Sequence, residues 1–349
     1  MISVGIIGGS GYTGKKLVQF CESHKKINEY KVYGFSTAGS SVYEIFPDLA
    51  GIIKNQSIIN IEQLSFEHDV YFIALPHGES LNYVPGLISA GKTAIDLGGD
   101  YRLNNPDDYI EWYKYNHTSP EFLKDKIYGL ADLAETNYSG SSLIANPGCY
   151  PTAVSLSLIP FIKNFSDEII TISTSAYSGT SGAGKSPKQH LLMSEMNGNA
   201  AAYNLNSHRH YPEILQTLNK FGLNSPFSFA THLLPVSVGI YSTSFIHLKS
   251  EINQEEIFSI YKKYYENSPF VRLRNQPPNL TWVTNTNFCD LGISVKGKSV
   301  IIVSAIDNLI KGASGQAIQN LNRFYGYDET EGLLDKNSIL IPERVSSIV

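Results

Sequence analysis

The residue whose surroundings most resemble a reactive centre is Cys149, in Ile144-Ala-Asn-Pro-Gly-Cys-Tyr-Pro-Thr152. The mostly apolar run Ser142 to Ala145 reads as a strand, Asn146, Pro147 and Gly148 break it, and Pro151-Thr152 open a helix that continues through Ile159. A sulfur at such a turn faces unsatisfied backbone N–H groups and the positive end of a helix, which favours the nucleophilic thiolate. An isolated cysteine is otherwise most often an inert buried residue. The flanking Gly148, the proline two residues on and the helix start shift the reading towards a nucleophile.

A nucleophilic thiol needs a base. Ser207-His-Arg-His-Tyr-Pro-Glu-Ile214 supplies two histidines and an arginine just before a helix that Pro212 opens. His208 and His210 as a metal pair have no further His or Cys ligand nearby in sequence, and no metal is expected. Arg209 suits a substrate carboxylate, although a solvated polar loop is the plain alternative. The stretch Ser178-Gly-Thr-Ser-Gly-Ala-Gly-Lys185 reads as a flexible anion-binding turn. Its Gly179 to Ser186 spacing formally meets the P-loop pattern, but Pro187 follows at once and an ATP site is not expected.

These groups require a scaffold. Met1 to Ile7 is a short apolar strand, Gly8-Gly-Ser-Gly-Tyr-Thr-Gly14 follows, and Lys15 to Glu22 reads as a helix. Strand, Gly9-x-Gly11-x-x-Gly14 and helix together read as a dinucleotide turn, with Gly8, Ser10, Gly11, Tyr12, Thr13 and Gly14 as cofactor contacts. Tyr30 to Phe35 is the second strand and ends in Ser36 and Thr37, where an NAD site usually carries an acid. Hydroxyls without a carboxylate point to NADP(H), whose 2′-phosphate an acid would repel. Asp69 to Leu75 and Lys92 to Leu97 are further strands, so His77 and Arg102 fall on the ligand side of a parallel sheet. Arg102 there suits a phosphate, or else pairs with Asp100 or Asp107 at the surface.

Beyond residue 149 the pattern changes to longer strands, at Glu168 to Tyr177, Val236 to Leu248 and Lys298 to Ile306, with Gly292 to Val295 leading towards the last. A helix is expected over Glu255 to Asn267, and a second α+β domain with a mixed or largely antiparallel sheet follows. Ile306 to Asn322 reads as strand end, turn and helix, with Gly312, Ala313 and Gly315 permitting close approach. A chain of 349 residues fits two domains. A net charge of −5 without a basic cluster argues against nucleic acid as a partner. Three scattered cysteines fit a reducing compartment, and the absence of a long apolar run argues against a membrane. The expectation is a soluble cytoplasmic protein.

Taken together, GGSGYTG, LPHGES, DLGGDYRL, NPGCYPTA, SGTSGAGK, HRHYPEI, THLLPVSVGI and IDNLIKGASGQAIQNLN resemble the N-acetyl-gamma-glutamyl-phosphate reductase family, relatives of the aspartate-semialdehyde dehydrogenases. The resemblance runs from residue 5 to about 332. It implies an α/β chain with a Rossmann-type NADP-binding domain over 1–148, completed by a C-terminal helix within about 313–349. A catalytic and oligomerisation α+β domain would occupy 149–312. It also implies Cys149 as nucleophile, His210 as acid/base with His208 as runner-up, and Ser178, Gly179, Gly182 and Asn308 near the nicotinamide. Arg102, Asn146, His208, Arg209 and Lys185 would contact a small acyl phosphate substrate, in a homodimer or homotetramer. The implied activity is NADPH-dependent reduction of N-acetyl-gamma-glutamyl phosphate to the semialdehyde, a step of arginine biosynthesis.

Family members mostly carry Arg where this chain has Val238 and Asp where it has Ser175. Alternatives are the same chemistry on an N-succinyl or carrier-linked acyl phosphate, aspartate-semialdehyde dehydrogenase activity, and an NADP-binding redox sensor without turnover. HRHYPEI and LPHG argue against the second. A sensor would have no use for a cysteine at a helix start with a histidine pair downstream.

Overall fold

The apolar strand runs become β1 (Ile2–Ile7), β2 (Ile27–Gly34), β3 (Ile59–Asn60), β4 (Val70–Ile73), β5 (Thr93–Asp96), β6 (Ile127–Tyr128) and β7 (Leu143–Ala145). In the computed structural model, which describes residues 1–334, they form one sheet in the order β3-β2-β1-β4-β5-β7-β6. Every pairing in it is parallel. Such strands are buried on both faces, and this explains the continuous apolar runs: Val4, Ile6 and Ile7 of β1 and all of β4 are inaccessible. The strand order reverses between β1 and β4, where open α/β sheets bind ligands. The helix α1 (Tyr12–Ser23) leaves β1 at this point.

The second sheet comprises β8 (Ile169–Ser178), β9 (Ala201–Tyr203), β10 (Phe227–Leu233), β11 (Ile240–Leu248), β12 (Val271–Arg274), β13 (Cys289–Lys296) and β14 (Ser299–Ile306). Its order is β12-β13-β14-β11-β8-β10-β9. It is mixed: β8 with β10 and β12 with β13 run parallel, the other pairs antiparallel. Burial alternates along β8, so one face joins a core and the other does not. The core face is covered by α2 (Cys149–Phe165), with α3 (His210–Lys220) and α4 (Gln254–Tyr264) beside it.

The elements differ from the sequence reading in several places: the short strands β3, β6, β9 and β12 were not anticipated, and most ends shift by a few residues. β10 was not anticipated, although Phe227-Ser-Phe-Ala-Thr-His-Leu233 alternates with strand period. β11 begins at Ile240, because Val236 to Gly239 form the turn that leads into it. α2 begins at Cys149 itself and passes Pro160 to reach Phe165. Pro160 has no N–H for the Leu156 carbonyl. The Tyr265 hydroxyl donates to that oxygen instead, at 2.6 Å, and Tyr261 does the same for Ser157. With this substitution the helix stays intact and buries every residue from Tyr150 to Ile162.

After β14 the chain returns to the first sheet. The Asp307 carboxylate accepts from the Leu309 and Ile310 N–H groups at 2.8 and 3.0 Å, closing a wide turn over Ile310–Ser314. α5 (Gly315–Tyr325) follows, and its Ala317, Ile318 and Leu321 pack into the core beneath β1 and β4. The remainder of the expected C-terminal segment, residues 335–349, lies outside the described residues.

Candidate active site

Two strand–turn–helix junctions carry the candidate residues, one after β1 and one after β7. In the first, Gly8 takes φ +80° and lies so near β4 that a Cβ there would stand 2.5 Å from the Ala74 carbonyl oxygen. A Cβ on Gly14 would stand 2.4 Å from the Gly9 oxygen, so both positions demand glycine. Gly11 differs: nothing lies within 4 Å of its absent Cβ. It also caps α1 without a side-chain hydrogen bond, and α1 carries no acid in its first turn. The first N–H groups of the helix thus face open space, a cradle suited to a pyrophosphate. At the end of β2 the buried Thr37 Oγ1 has no hydrogen-bond partner among the described residues. Ser36 beside it is exposed.

A cleft of about 720 Å³ adjoins this turn, lined among others by Tyr12, Lys15, Thr180, Ser181, Lys185 and Lys188. Lys185 belongs here and not with the substrate contacts expected from sequence. Its Nζ donates to the Ser10 carbonyl at 3.1 Å and lies over the Tyr12 and Phe46 rings. The cause is a single helical turn at Thr180–Ala183, after which Gly184 at φ +82° turns the chain towards the first domain.

The second junction carries Cys149. Gly148 caps α2, again without a side-chain cap, and Cys149 is the first residue of the helix. A cavity of about 590 Å³ opens onto Cys149, with His77, Ser178, Gly182, His208, Arg209 and His210 in its wall. The stretches NPGCYPT, SGTSGAG and HRHYPEI therefore converge. A Cβ on Gly148 would stand 2.5 Å from His210 Nε2 and 2.9 Å from Arg102 Nη1, so the glycine is what permits base and turn to meet. Gly312 does the same from behind: its absent Cβ would stand 2.6 Å from the Cys149 Cβ. The His210 N–H donates to His208 Nδ1 at 3.1 Å, leaving the His208 proton on Nε2. His210 Nδ1 is buried with no partner among the described residues. The His77 Nδ1 accepts from the Gly99 N–H at 3.1 Å, and Arg209 lies over the Tyr113 ring.

The electrostatics reverse one expectation. Burial pushes the Cys149 thiol up to about 11, outweighing Arg102 and the backbone N–H groups of Tyr150 and Cys149 that favour the thiolate. Burial also holds His210 well below the usual imidazole value, with His208 and Arg102 adding to the effect, and lowers His208 to about 4. A raised thiol beside a lowered imidazole favours the neutral pair, thiol and imidazole, over a preformed thiolate–imidazolium ion pair.

Three further candidates, Arg102, Asn146 and Asn308, are committed to the protein itself. Arg102 is buried under the turn: its Nε donates to the Asn146 carbonyl at 2.8 Å and its Nη2 to the Leu97 carbonyl at 2.7 Å. Its Nη1 lies 3.6 Å from Glu213 Oε2, so its partner is neither Asp100 nor Asp107. Asn146 is inaccessible, donating to the Ala313 carbonyl at 3.2 Å and accepting from Asn320 at 2.9 Å, and ties the turn to α5. Asn308 is likewise buried, accepting from the Gly239 N–H at 2.6 Å and donating to Ser181 Oγ at 3.0 Å; it holds the loop beside Gly182. Gly179 is required by packing, since its Cβ would stand 2.7 Å from the Ser237 oxygen. Val238 is buried and Ser175 half-buried, and neither lines the Cys149 cavity. Sequence reasoning assigned no role to Glu213 or Tyr128, which meet under the turn at 2.9 Å. The only signal for Glu213 is its place three residues after His210 on one helix.

Comparison with known proteins agrees with this layout. Residues 3–140 match the semialdehyde dehydrogenase, NAD binding domain model, and residues 149–308 match the semialdehyde dehydrogenase, dimerisation domain model. N-acetyl-gamma-glutamyl-phosphate reductase of Desulfotalea psychrophila is 40% identical, over 95% of this chain and 98% of that one. The protein of the same name from Staphylococcus saprophyticus is 41% identical, over 96% and 98%. Among solved structures, aspartate semialdehyde dehydrogenase II complexed with ASA from Vibrio cholerae superposes with a TM-score of 0.73 at 15% identity, covering 93% of this chain and 98% of that chain. Aspartate semialdehyde dehydrogenase with NADP from Candida albicans gives a TM-score of 0.67 at 13% identity, covering 93% and 99%. At such identities these two structures show a shared fold alone. By the two domain matches and the 40–41% identity over nearly the whole chain, it belongs to the N-acetyl-gamma-glutamyl-phosphate reductase family of semialdehyde dehydrogenases.

Proposed function

We propose that this protein reduces N-acetyl-gamma-glutamyl phosphate to N-acetylglutamate semialdehyde, with Cys149 as nucleophile and His210 as acid/base. The observation that carries the reading is their convergence on one cavity with Arg209, in a chain 40–41% identical to reductases of that name. His210 takes the Cys149 proton as sulfur attacks the acyl carbon, and phosphate leaves to give a thioester. The uncapped first turn of α2 offers backbone N–H groups to the oxyanion. After reduction the oxyanion on the former acyl carbon re-forms the carbonyl as the C–S bond breaks, and protonated His210 returns its proton to the departing sulfur, restoring the Cys149 thiol and releasing the aldehyde. Arg209 is the cationic side chain of this wall suited to the substrate carboxylate.

The residues at the first junction fit a nicotinamide dinucleotide: the open Gly11 cradle and the unpartnered Thr37 hydroxyl are the sites it would fill. Gly8 to Gly14 would hold its pyrophosphate, Ser36 and Thr37 its adenosine ribose, and Ser178 and Gly182 the wall near its nicotinamide. When bound, it supplies the hydride that reduces the thioester. The absence of an acid at the end of β2, with Lys185 and Lys188 in the adjoining cleft beside the Lys15–Asp48 ion pair, favours NADP(H) over NAD(H). The uncovered face of the second sheet, with Ile170, Tyr241 and Phe245 outward, is the surface on which a second copy would pair, as the dimerisation description of that domain suggests.

The test runs in reverse: N-acetylglutamate semialdehyde, phosphate and NADP, with the N-succinyl substrate and NAD in parallel, following NADPH absorbance. Phosphate-dependent NADPH formation that prefers the acetyl substrate supports the assignment. Faster turnover of the N-succinyl compound, or of aspartate semialdehyde, would reassign the substrate. NADP binding without turnover on any of them would favour a sensor.

A further inference from the structure

The Glu213 carboxylate is inaccessible and stands where three elements meet. Its Oε1 accepts from the Gly148 N–H and from the Tyr128 hydroxyl, each at 2.9 Å. Its Oε2 has no hydrogen-bond partner among the described residues and lies 3.6 Å from Arg102 Nη1. Arg102 in turn holds the Asn146 carbonyl. One carboxylate therefore grips the residue before the nucleophile, neutralises the guanidinium under the nucleophile turn and rides three residues from His210 on α3. Resting on the reading that Cys149 is the nucleophile, we propose that Glu213 is a positioning residue. It fixes the separation of base helix and nucleophile turn, and it balances the Arg102 charge that would otherwise act undiminished on the sulfur.

The titratable and charged groups around the sulfur come from several elements, with Lys188, His190 and Glu195 in the outer wall of the same cavity. Arg102 and Glu213 lie beneath the sulfur, His208 and His210 come from the start of α3, His77 and Arg209 stand across the cavity, and Tyr150 and Tyr203 lie beside it. Around Glu213 itself stand Arg102, Tyr128 and Tyr113. Among these, Glu213 and Arg102 act on Cys149 with opposite sign, the carboxylate raising the thiol and the guanidinium lowering it.

The test measures alkylation of Cys149 by iodoacetamide against pH, with Cys149→Ala identifying the thiol, beside reverse-assay kinetics. Glu213→Gln keeps an oxygen for the Gly148 N–H but removes the charge. The alkylation midpoint should fall by about one pH unit, with a roughly tenfold faster reaction at pH 8. Glu213→Asp keeps the charge and withdraws it by one methylene. Its midpoint should stay within a few tenths of a unit while kcat falls at least tenfold with an unchanged KM for NADP. An unchanged midpoint in Glu213→Gln, or kcat within twofold of wild type in Glu213→Asp, would overturn the proposal. So would equal losses in both variants that follow only a lowered Tm. The alkylation result does not depend on turnover, so a wild-type enzyme inactive on the acyl substrate would sink the functional reading and leave this contrast standing.

Discussion

The two strand–turn–helix junctions use the same backbone device for opposite ends. Both helices start after a glycine, and neither has a side-chain cap, so both present unsatisfied N–H groups. At Gly11 the space in front is open, and at Gly148 it is occupied by a histidine nitrogen and a guanidinium. The open version suits a charged group that arrives from solution. In the filled version the protein supplies its own polar groups and keeps the sulfur as a thiol until a base acts. The dipole of the helix is common to both, and burial decides what it achieves.

Four experiments bear on this contrast. Removing the base should have the largest effect: His210→Asn is expected to cut kcat by about 10³, within the range usual for a general base, while NADP still binds. Gly148→Ala should come next. Its Cβ would meet His210 Nε2 and Arg102 Nη1, and the displaced base should lower kcat by about 10² without changing the Kd for NADP. The matching change at the open junction, Gly11→Ala, should leave Tm within about 1 °C but weaken NADP binding about tenfold by fluorescence titration. Loss of kcat at Gly11 with intact binding would break the comparison. The mildest probe is pH. Because the thiol is raised to about 11, alkylation of Cys149 should climb about tenfold per pH unit from 7 to 10. A plateau near neutrality would show a preformed thiolate.

Much of this was legible in the chain. The glycine spacing after β1, the broken strand before Cys149 and the His-Arg-His run are local signals, and each sits where its pattern implied. What was illegible depends on burial and distant contact. The helix dipole at Cys149 could be read from Gly148 and Pro151, but the desolvation that outweighs it comes from segments around residues 102, 210 and 312. Arg102 was read as a phosphate binder of the cleft, or as the partner of Asp100 or Asp107, because nothing near it in sequence announces Glu213, 111 residues on. Lys185 was placed by its loop, whereas Gly184 turns it to Ser10. The buried Lys311–Asp132 pair, also bonded through Gln319, likewise links residues too far apart for any local pattern to reveal.

The central claim is a covalent acyl enzyme on Cys149, and a single measurement addresses it. Enzyme is mixed with N-acetylglutamate semialdehyde and NADP without phosphate, and NADPH and intact mass are followed together. The account predicts a burst of one NADPH per site that stops, a mass gain of one N-acetylglutamyl group on the Cys149 peptide, and release of turnover when phosphate is added. A burst without the adduct, or NADPH formation that survives Cys149→Ala, would contradict it.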